Sequence, residues 1–301
     1  MTAADGRRIV AVVVTYNRLA LLQRLVERLG TIGELDEVLV VDNASTDGTG
    51  EWLAGQPVES RTLATNSGGA GGFHDGLAWA IERQADLVWL MDDDGLPDAD
   101  CLARLLEHDG LDFWGPVVVD EDDADRLVFP IRLPGGTRTV RQMGEVRGAA
   151  TDELIRDIVI PFNGVLVTRK LVQEIGEPRK EFFIWGDDVE YLWRAKQAGA
   201  RTATVVDAAV HHPSVGDLGT PMLFGRTTYN HSPSDLKHYC MARNNLLNLR
   251  QYAGWAYAFA FVAKTVWFYS FTRPSASRLR ISSRAWVDAL RGRWGGERRY
   301  L

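Results

Sequence analysis

The sequence predicts an α/β protein built on a doubly wound, mostly parallel sheet. Three observations carry that prediction. Short apolar, β-branched runs alternate with segments of helical period over the first 115 residues, the connections between them are short, and several runs end in polar residues. A chain of 301 residues can bury a large core, as one α/β domain or as a domain with an appendage. Ile9 to Thr15 reads as the first strand, and Leu19 to Leu29 follows with apolar residues at 19, 21, 22, 25, 26 and 29, a helical spacing. Glu37 to Val41 is the second strand, followed by the turn-rich Ser45-Thr46-Asp47-Gly48 and a short helix around Gly50 to Ala54. Ser60 to Ala64 is a third strand, Gly72 to Gln84 a helix and Leu87 to Met91 a fourth strand.

The middle of the chain changes character. Val117 to Phe162 reads as a hairpin insertion whose acidic run, Asp120 to Asp123, is a solvated loop. Asn163 to Thr168 returns to strand and Arg169 to Ile175 is a short helix. A helix over Val189 to Ala198 and a strand over Thr202 to Val206 come next, and Pro213 to Ser234 has no clear period. The expected division is a domain over residues 1–250, with a nucleotide-binding half to about 115 and an acceptor half from 116, then an aromatic and basic helical region over 251–301.

Charge is distributed unevenly. From Arg273 onward eight arginines face only Asp288 and Glu297, a balance of +6, so the first 272 residues carry −12 of a net −6. Before this basic end lies an aromatic, apolar stretch from Ala253 to Phe271, interrupted by Lys264, which counts against a membrane span. Aromatics followed by arginines fit a segment lying in an anionic membrane interface. The same composition also fits a helix packed on the core with a solvated basic end. A nucleic-acid tail is disfavoured because no binding motif accompanies the charge. Met1 to Arg8 is polar, so no secretory signal is expected, and the distant Cys101 and Cys240 match no metal or redox spacing; a cytoplasmic protein is the simplest expectation.

The chemistry concentrates at strand ends. Asp92-Asp93-Asp94 follows the apolar Leu87 to Met91. Adjacent carboxylates repel one another, and a hard divalent cation relieves that repulsion. In an extended segment Asp92 and Asp94 fall on one side, able to share an ion, although a solvated acidic turn has the same composition. Thr15 to Arg18 and Asp42 to Ser45 end the first two strands and suit a base, ribose or phosphate, or else act as caps and turn residues. Asn66 to Phe73 contains Gly68, Gly69, Gly71 and Gly72, where backbone can approach a ligand at a helix start or simply pack closely. Trp185 to Glu190 is a second acidic centre, in which a carboxylate at a helix start can serve as a base, or Asp187 and Glu190 can be caps. His211 and His212 follow a strand, and either is a candidate metal ligand.

Together Val14–Arg18, Val41–Ser45, Asn66–Phe73, Met91–Asp94, Trp185–Glu190 and His211–Pro213 resemble the family 2 glycosyltransferases of the GT-A fold. Within them they are similar to the galactofuranosyltransferases that begin mycobacterial-type cell-wall galactan. That resemblance implies that Asp92, Asp94 and His212 hold Mn²⁺ or Mg²⁺ against the diphosphate of UDP-galactofuranose, and that Asp188 is the base. Arg18, Asn43 and Asn66 would contact the nucleotide sugar, with Thr15, Asp42, Gly69, Asp93, Trp185 and Asp187 completing the donor site. Tyr239 and Arg243-Asn244 would lie near the acceptor or the phosphates. The implied acceptor is a polyprenyl-diphosphate-linked rhamnosyl-N-acetylglucosamine glycan at the inner face of the membrane, and deletion after Arg273 is expected to spare turnover of a soluble analogue. A rhamnosyltransferase using dTDP-rhamnose and a catalytically silent homologue are the alternatives.

Overall fold

The computed structural model describes residues 6–136, 138–216 and 219–301. The first five residues of the polar start, and part of the Pro213 to Ser234 stretch, lie outside the described residues.

Strand β1 (Ile9–Thr15) is buried on both faces. Its residues Ile9, Ala11 and Val13 enter one hydrophobic core, while Val10, Val12 and Val14 enter another. That double burial explains why the strand reads as a continuous apolar run. Helix α1 (Leu19–Leu29) covers the first core through Leu22, Leu25, Val26 and Leu29. After β2 (Glu37–Asp42), α2 (Thr49–Leu53) and β3 (Glu59–Thr62), helix α3 (Gly68–Glu82) covers the second core through Phe73, Leu77 and Ala80. A Cβ on Gly72 would come within 2.4 Å of Val14. Glycine there lets α3 lie directly on β1.

The chain continues through β4 (Leu87–Asp92), β5 (Leu96–Pro97), α4 (Cys101–Leu106) and β6 (Phe113–Asp120). The inserted middle contains β7 (Arg126–Arg132), β8 (Thr139–Gln142), α5 (Met143–Ala149) and β9 (Leu154–Arg156). Then come β10 (Asn163–Thr168), α6 (Arg169–Ile175), α7 (Asp187–Gln197) and β11 (Thr202–His212). A small hairpin of β12 (Thr220–Met222) and β13 (Thr227–Tyr229) precedes α8 (Asp235–Asn248), α9 (Trp255–Trp267) and α10 (Ala276–Leu290).

The main sheet runs β3-β2-β1-β4-β10-β6-β11-β5 and so spans both halves of the chain. β1 to β4 are mutually parallel and β6 is parallel to β11, but β10 is antiparallel to both β4 and β6. Register decides where the polar strand ends meet. Thr15 pairs with Asp42 and Val14 with Asp92, which aligns three polar ends along one sheet edge. On the other side His212 pairs with Asp120. β11 therefore extends six residues past its expected end, through a register shift between Val205 and Ala209. Its apolar pattern breaks at Asp207, the exposed residue in that irregularity, which is why the sequence suggested an earlier stop.

The C-terminal helices pack back on α8. Ile281 and Ala285 of α10 join Tyr239, Cys240 and Phe183 in a separate core. No described helix is long and apolar enough to cross a membrane. Trp255, Tyr257, Phe259, Trp267 and Phe271, on α9 and the turn after it, are nonetheless exposed.

Candidate active site

The site begins with the Asp92 to Asp94 run just past β4. The three carboxylates are not equivalent. Asp93 turns inward, where the Thr15 hydroxyl donates to it at 2.6 Å and an Arg18 guanidinium N–H donates at 3.1 Å. Asp94 accepts from the same guanidinium and also faces His212, whose Nε2 lies 3.3 Å from its Oδ1. Asp92 has no cation in direct contact among the described residues. Burial, followed by the charges of Asp94 and Asp93, pushes its pKa well above the usual carboxylate range. Burial also raises Asp93, against the opposing effects of Thr15 and Arg18. Burial favours neutral Asp94 as well, but His212 and Arg18 outweigh it and hold that carboxyl below its ordinary value. The counterpart holds at His212, where burial opposes the charged ring and Asp94 overcomes it, raising the pKa.

One oxygen of this cluster lacks a hydrogen bond. Asp94 Oδ1 is buried and unbonded, although His212 Nε2 is near it. Two ligand groups facing each other at 3.3 Å are of the types a divalent cation could share. His212 is held by its own backbone, with Nδ1 against the Pro213 carbonyl at 2.7 Å. His211 points elsewhere and meets Asp98 at 3.0 Å, so of the two histidines it is His212 that faces the Asp94 carboxylate. Asp92, Asp94 and His212 do not close as tightly as a formed metal site. The one set of three described ligand groups within 4.8 Å of one another is His108, Glu153 and Asp207, on other elements.

The first two strand ends mainly build the frame around this cluster. Both Asp42 oxygens are engaged, one by the Ser45 N–H at 2.9 Å and the other by the Thr62 hydroxyl at 3.2 Å. Asn43 donates to the Gly68 carbonyl at 2.8 Å and accepts from the Ser67 N–H at 2.8 Å, pinning the glycine segment to β2. Asn66 accepts from the Gly68 N–H, also at 2.8 Å. Helix α3 starts at Gly68 rather than Gly72, so the glycines form its first turns. A Cβ on Gly68, whose φ is +72°, would sit 1.9 Å from the Phe183 carbonyl oxygen, whereas Gly69 faces open space. Most of these glycines therefore admit protein neighbours, and Gly69 is the one placed to admit a ligand at a helix N-terminus.

The close contact at Gly68 joins the two acidic centres. The Ala70 N–H donates to the Phe183 carbonyl at 3.0 Å, which brings the start of α3 against the loop before α7. At the start of α7, Asp187 is buried and Asp188 half-buried. Burial raises both carboxyl pKa values, and Asp188 raises that of Asp187 further. The charge of Asp187 also reaches Asp92. Trp185, with a φ of +72°, packs beside Met222, Tyr229 and Met241. Glu190 is not a cap. Buried, it accepts from Arg194 at 3.0 Å and from the Tyr252 hydroxyl at 2.8 Å.

Three features escaped the sequence reading. Asp120 is buried opposite His212 and separates from the exposed residues 121–123 that follow it. Arg243 and Asn244, expected near the acceptor or the phosphates, are fully buried and hydrogen-bonded to carbonyls of the segment before α7. Arg243 pairs with Glu297 at 2.6 Å. Breaking such a buried pair by removing one partner costs about 3–5 kcal/mol. The end of the chain is therefore part of the fold, contrary to the expectation that deletion after Arg273 is benign. The four-residue spacing of Asn244 and Asn248 on α8 was the available signal, since it puts two amides on one helix face.

A mostly parallel sheet with polar strand ends on one edge, an acidic cluster facing a histidine, and a second acidic pair across the glycine turn form a fold shared with GT-A glycosyltransferases. The family model described as glycosyl transferase family 2 matches residues 10–131. The galactofuranosyltransferase GlfT1 of Mycobacterium tuberculosis is 39% identical over 246 residues, covering 78% of this chain and 79% of that protein. The chain belongs to glycosyltransferase family 2 and is a glycosyltransferase. Two solved structures share the fold. They are GalNAc-T7 with UDP, GalNAc and Mn²⁺ (TM-score 0.56, 16% identity, 93% of this chain and 55% of that one) and the Pyrobaculum calidifontis mannosyltransferase PcManGT with GDP-Man and Mn²⁺ (TM-score 0.53, 18% identity, 99% and 79%).

Proposed function

We propose that the protein transfers galactofuranose, with inversion, from UDP-galactofuranose to a polyprenyl-diphosphate-linked rhamnosyl-N-acetylglucosamine-type acceptor. The observation that carries this reading is the closure of the α3 start on the loop before α7, with the Ala70 N–H 3.0 Å from the Phe183 carbonyl. It supports the reading by bringing the Asp92–Asp94 run and the Asp187–Asp188 pair within electrostatic reach of each other.

Asp92, Asp94 and His212 would hold Mn²⁺ or Mg²⁺, and when bound that ion offsets the negative charge growing on the departing UDP. Arg18 spans Asp93 and Asp94, and its half-exposed guanidinium would turn to a phosphate of the donor. Thr15, Asp42, Asn43 and Asn66 shape the nucleotide side, Gly69 leaves room for the donor, and Trp185 and Asp187 line the junction. Asp188 removes the proton from the acceptor hydroxyl. That oxygen then bonds to the anomeric carbon as the bond to UDP breaks on the opposite face. Its raised pKa makes it a stronger base than a solvated aspartate.

The exposed aromatics around α9 and the exposed Arg273, Arg280, Arg284, Arg291 and Arg293 suit an anionic membrane surface, where a polyprenyl acceptor resides. The protein would then act peripherally on the cytoplasmic face. The test is transfer to a short lipid-linked rhamnosyl-N-acetylglucosamine analogue with Mn²⁺. Product from UDP-galactofuranose supports the reading. Turnover with dTDP-rhamnose alone replaces the donor, and turnover with neither removes the reading.

A further inference from the structure

Residues 183–186, after the 3-10 turn Lys180–Phe182, form an irregular loop that delivers Asp187 and Asp188 to the start of α7. Phe183 and Trp185 have φ of +66° and +72°, values that side-chain-bearing residues keep only when their surroundings impose them. The loop has little ladder structure of its own, and its carbonyls are satisfied instead by α8. The Asn244 side-chain amide donates to three of them, Phe182 at 3.0 Å, Ile184 at 3.2 Å and Trp185 at 2.8 Å. Asn248, one turn on, donates to the Gly186 carbonyl at 2.7 Å. Arg243 donates to the carbonyls of Glu181 and Phe182, both at 2.9 Å.

Asn244 is itself oriented. Its carbonyl oxygen accepts from Arg243 Nε at 2.9 Å, which turns the amide N–H groups toward the loop. Arg243 is in turn fixed by Glu297, four residues from the C-terminal Leu301. All three side chains are buried. A chain of polar contacts thus runs from Glu297 through Arg243 and Asn244 to the backbone two residues before Asp187. Five carbonyls of this segment, those of Glu181, Phe182, Ile184, Trp185 and Gly186, depend on two amides and a guanidinium.

We propose that Asn244, seated by Arg243 and Glu297, is a positioning residue for the acceptor base, setting the backbone path that places Asp188. This rests on the reading of Asp188 as that base. Asparagine suits the task because one amide offers two N–H donors and one acceptor. Aspartate in its place would turn acceptor against acceptor.

The test compares wild type, Asn244→Ala, Asn244→Asp and Asp188→Asn in the full chain. It reads kcat, KM for the donor, UDP affinity with Mn²⁺, and amide hydrogen exchange over residues 182–188 and over β1 and β4. Displacing a reacting group by about 1 Å costs about 10²-fold in rate. The expected result for both Asn244 variants is a kcat about 10²-fold lower, with UDP affinity within about threefold of wild type and protection lost over 182–188 but not over β1 or β4. A kcat within about threefold of wild type overturns the proposal. So does a parallel loss of kcat, UDP affinity and protection in β1 and β4, which marks a merely structural role. Should Asn244→Ala fail to fold, Asn248→Ala and Glu297→Gln carry the test. Each is expected to lower kcat with donor KM kept, and unchanged kcat in both overturns it. Loss of activity in Asp188→Asn with full activity in the Asn244 variants sinks the brace alone. Full activity in Asp188→Asn sinks the base reading, and this proposal with it.

Discussion

The two acidic centres hold similar side chains in opposite ways. At the end of β4, the Arg18 guanidinium meets Asp93 and Asp94 and the His212 ring faces Asp94, and together they hold Asp94 below its usual pKa. At the start of α7, Asp187 and Asp188 are surrounded by backbone and by each other, and burial raises both. In the first centre Asp94 keeps its negative charge through those partners, although burial raises Asp92 and Asp93, an arrangement suited to a metal and a diphosphate. The second makes charge costly, an arrangement suited to taking up a proton. Identical residues acquire different chemistry from whether their neighbours carry positive charge.

The division is broken most sharply at Asp188. Asp188→Asn is expected to reduce transfer by about 10³-fold or more while UDP binding stays near wild type, measured by product formation and by titration of UDP with Mn²⁺. Next in size is the donor centre. Asp94→Asn or His212→Ala is expected to weaken Mn²⁺-dependent UDP binding by about 10²-fold, with metal-free UDP binding little changed. The raised pKa of His212 adds a pH dependence. Below that pKa the proton occupies the nitrogen a cation needs, so Mn²⁺ affinity rises by up to about tenfold per pH unit until the ring is neutral, then levels off. Titrations over about pH 5–8 check this, and an affinity flat across that range argues against His212 as a ligand. The smallest effect belongs to Arg18, which is half exposed. Arg18→Ala is expected to lower the metal-free melting temperature by about 2–3 °C, with Mn²⁺ restoring more of it than it adds to wild type, in a thermal-shift assay.

The sequence made the donor half legible because its strands are buried on both faces and stop abruptly at Thr15, Asp42 and Asp92. Parallel register then aligns those ends with little freedom. The antiparallel position of β10 between β4 and β6 was not legible, since periodicity carries no strand direction. Asp187 and Asp188 were visible as a pair, but their support was not. Asn244, Asn248 and Glu297 lie more than 55 residues away in the chain, and no local pattern links the two amides to the carbonyls they satisfy or Glu297 to Arg243. The glycine segment was visible, but which of its glycines meet protein was not, because a close approach by Phe183 and one by a ligand demand the same residue.

Titration of UDP into wild type, Asp94→Asn and Asp188→Asn, with and without Mn²⁺, tests the division of labour most directly. The account predicts that Mn²⁺ strengthens UDP binding in wild type and in Asp188→Asn alike, and that Asp94→Asn loses this gain. A gain that survives in Asp94→Asn and disappears in Asp188→Asn would contradict it, moving the metal and the nucleotide to the start of α7.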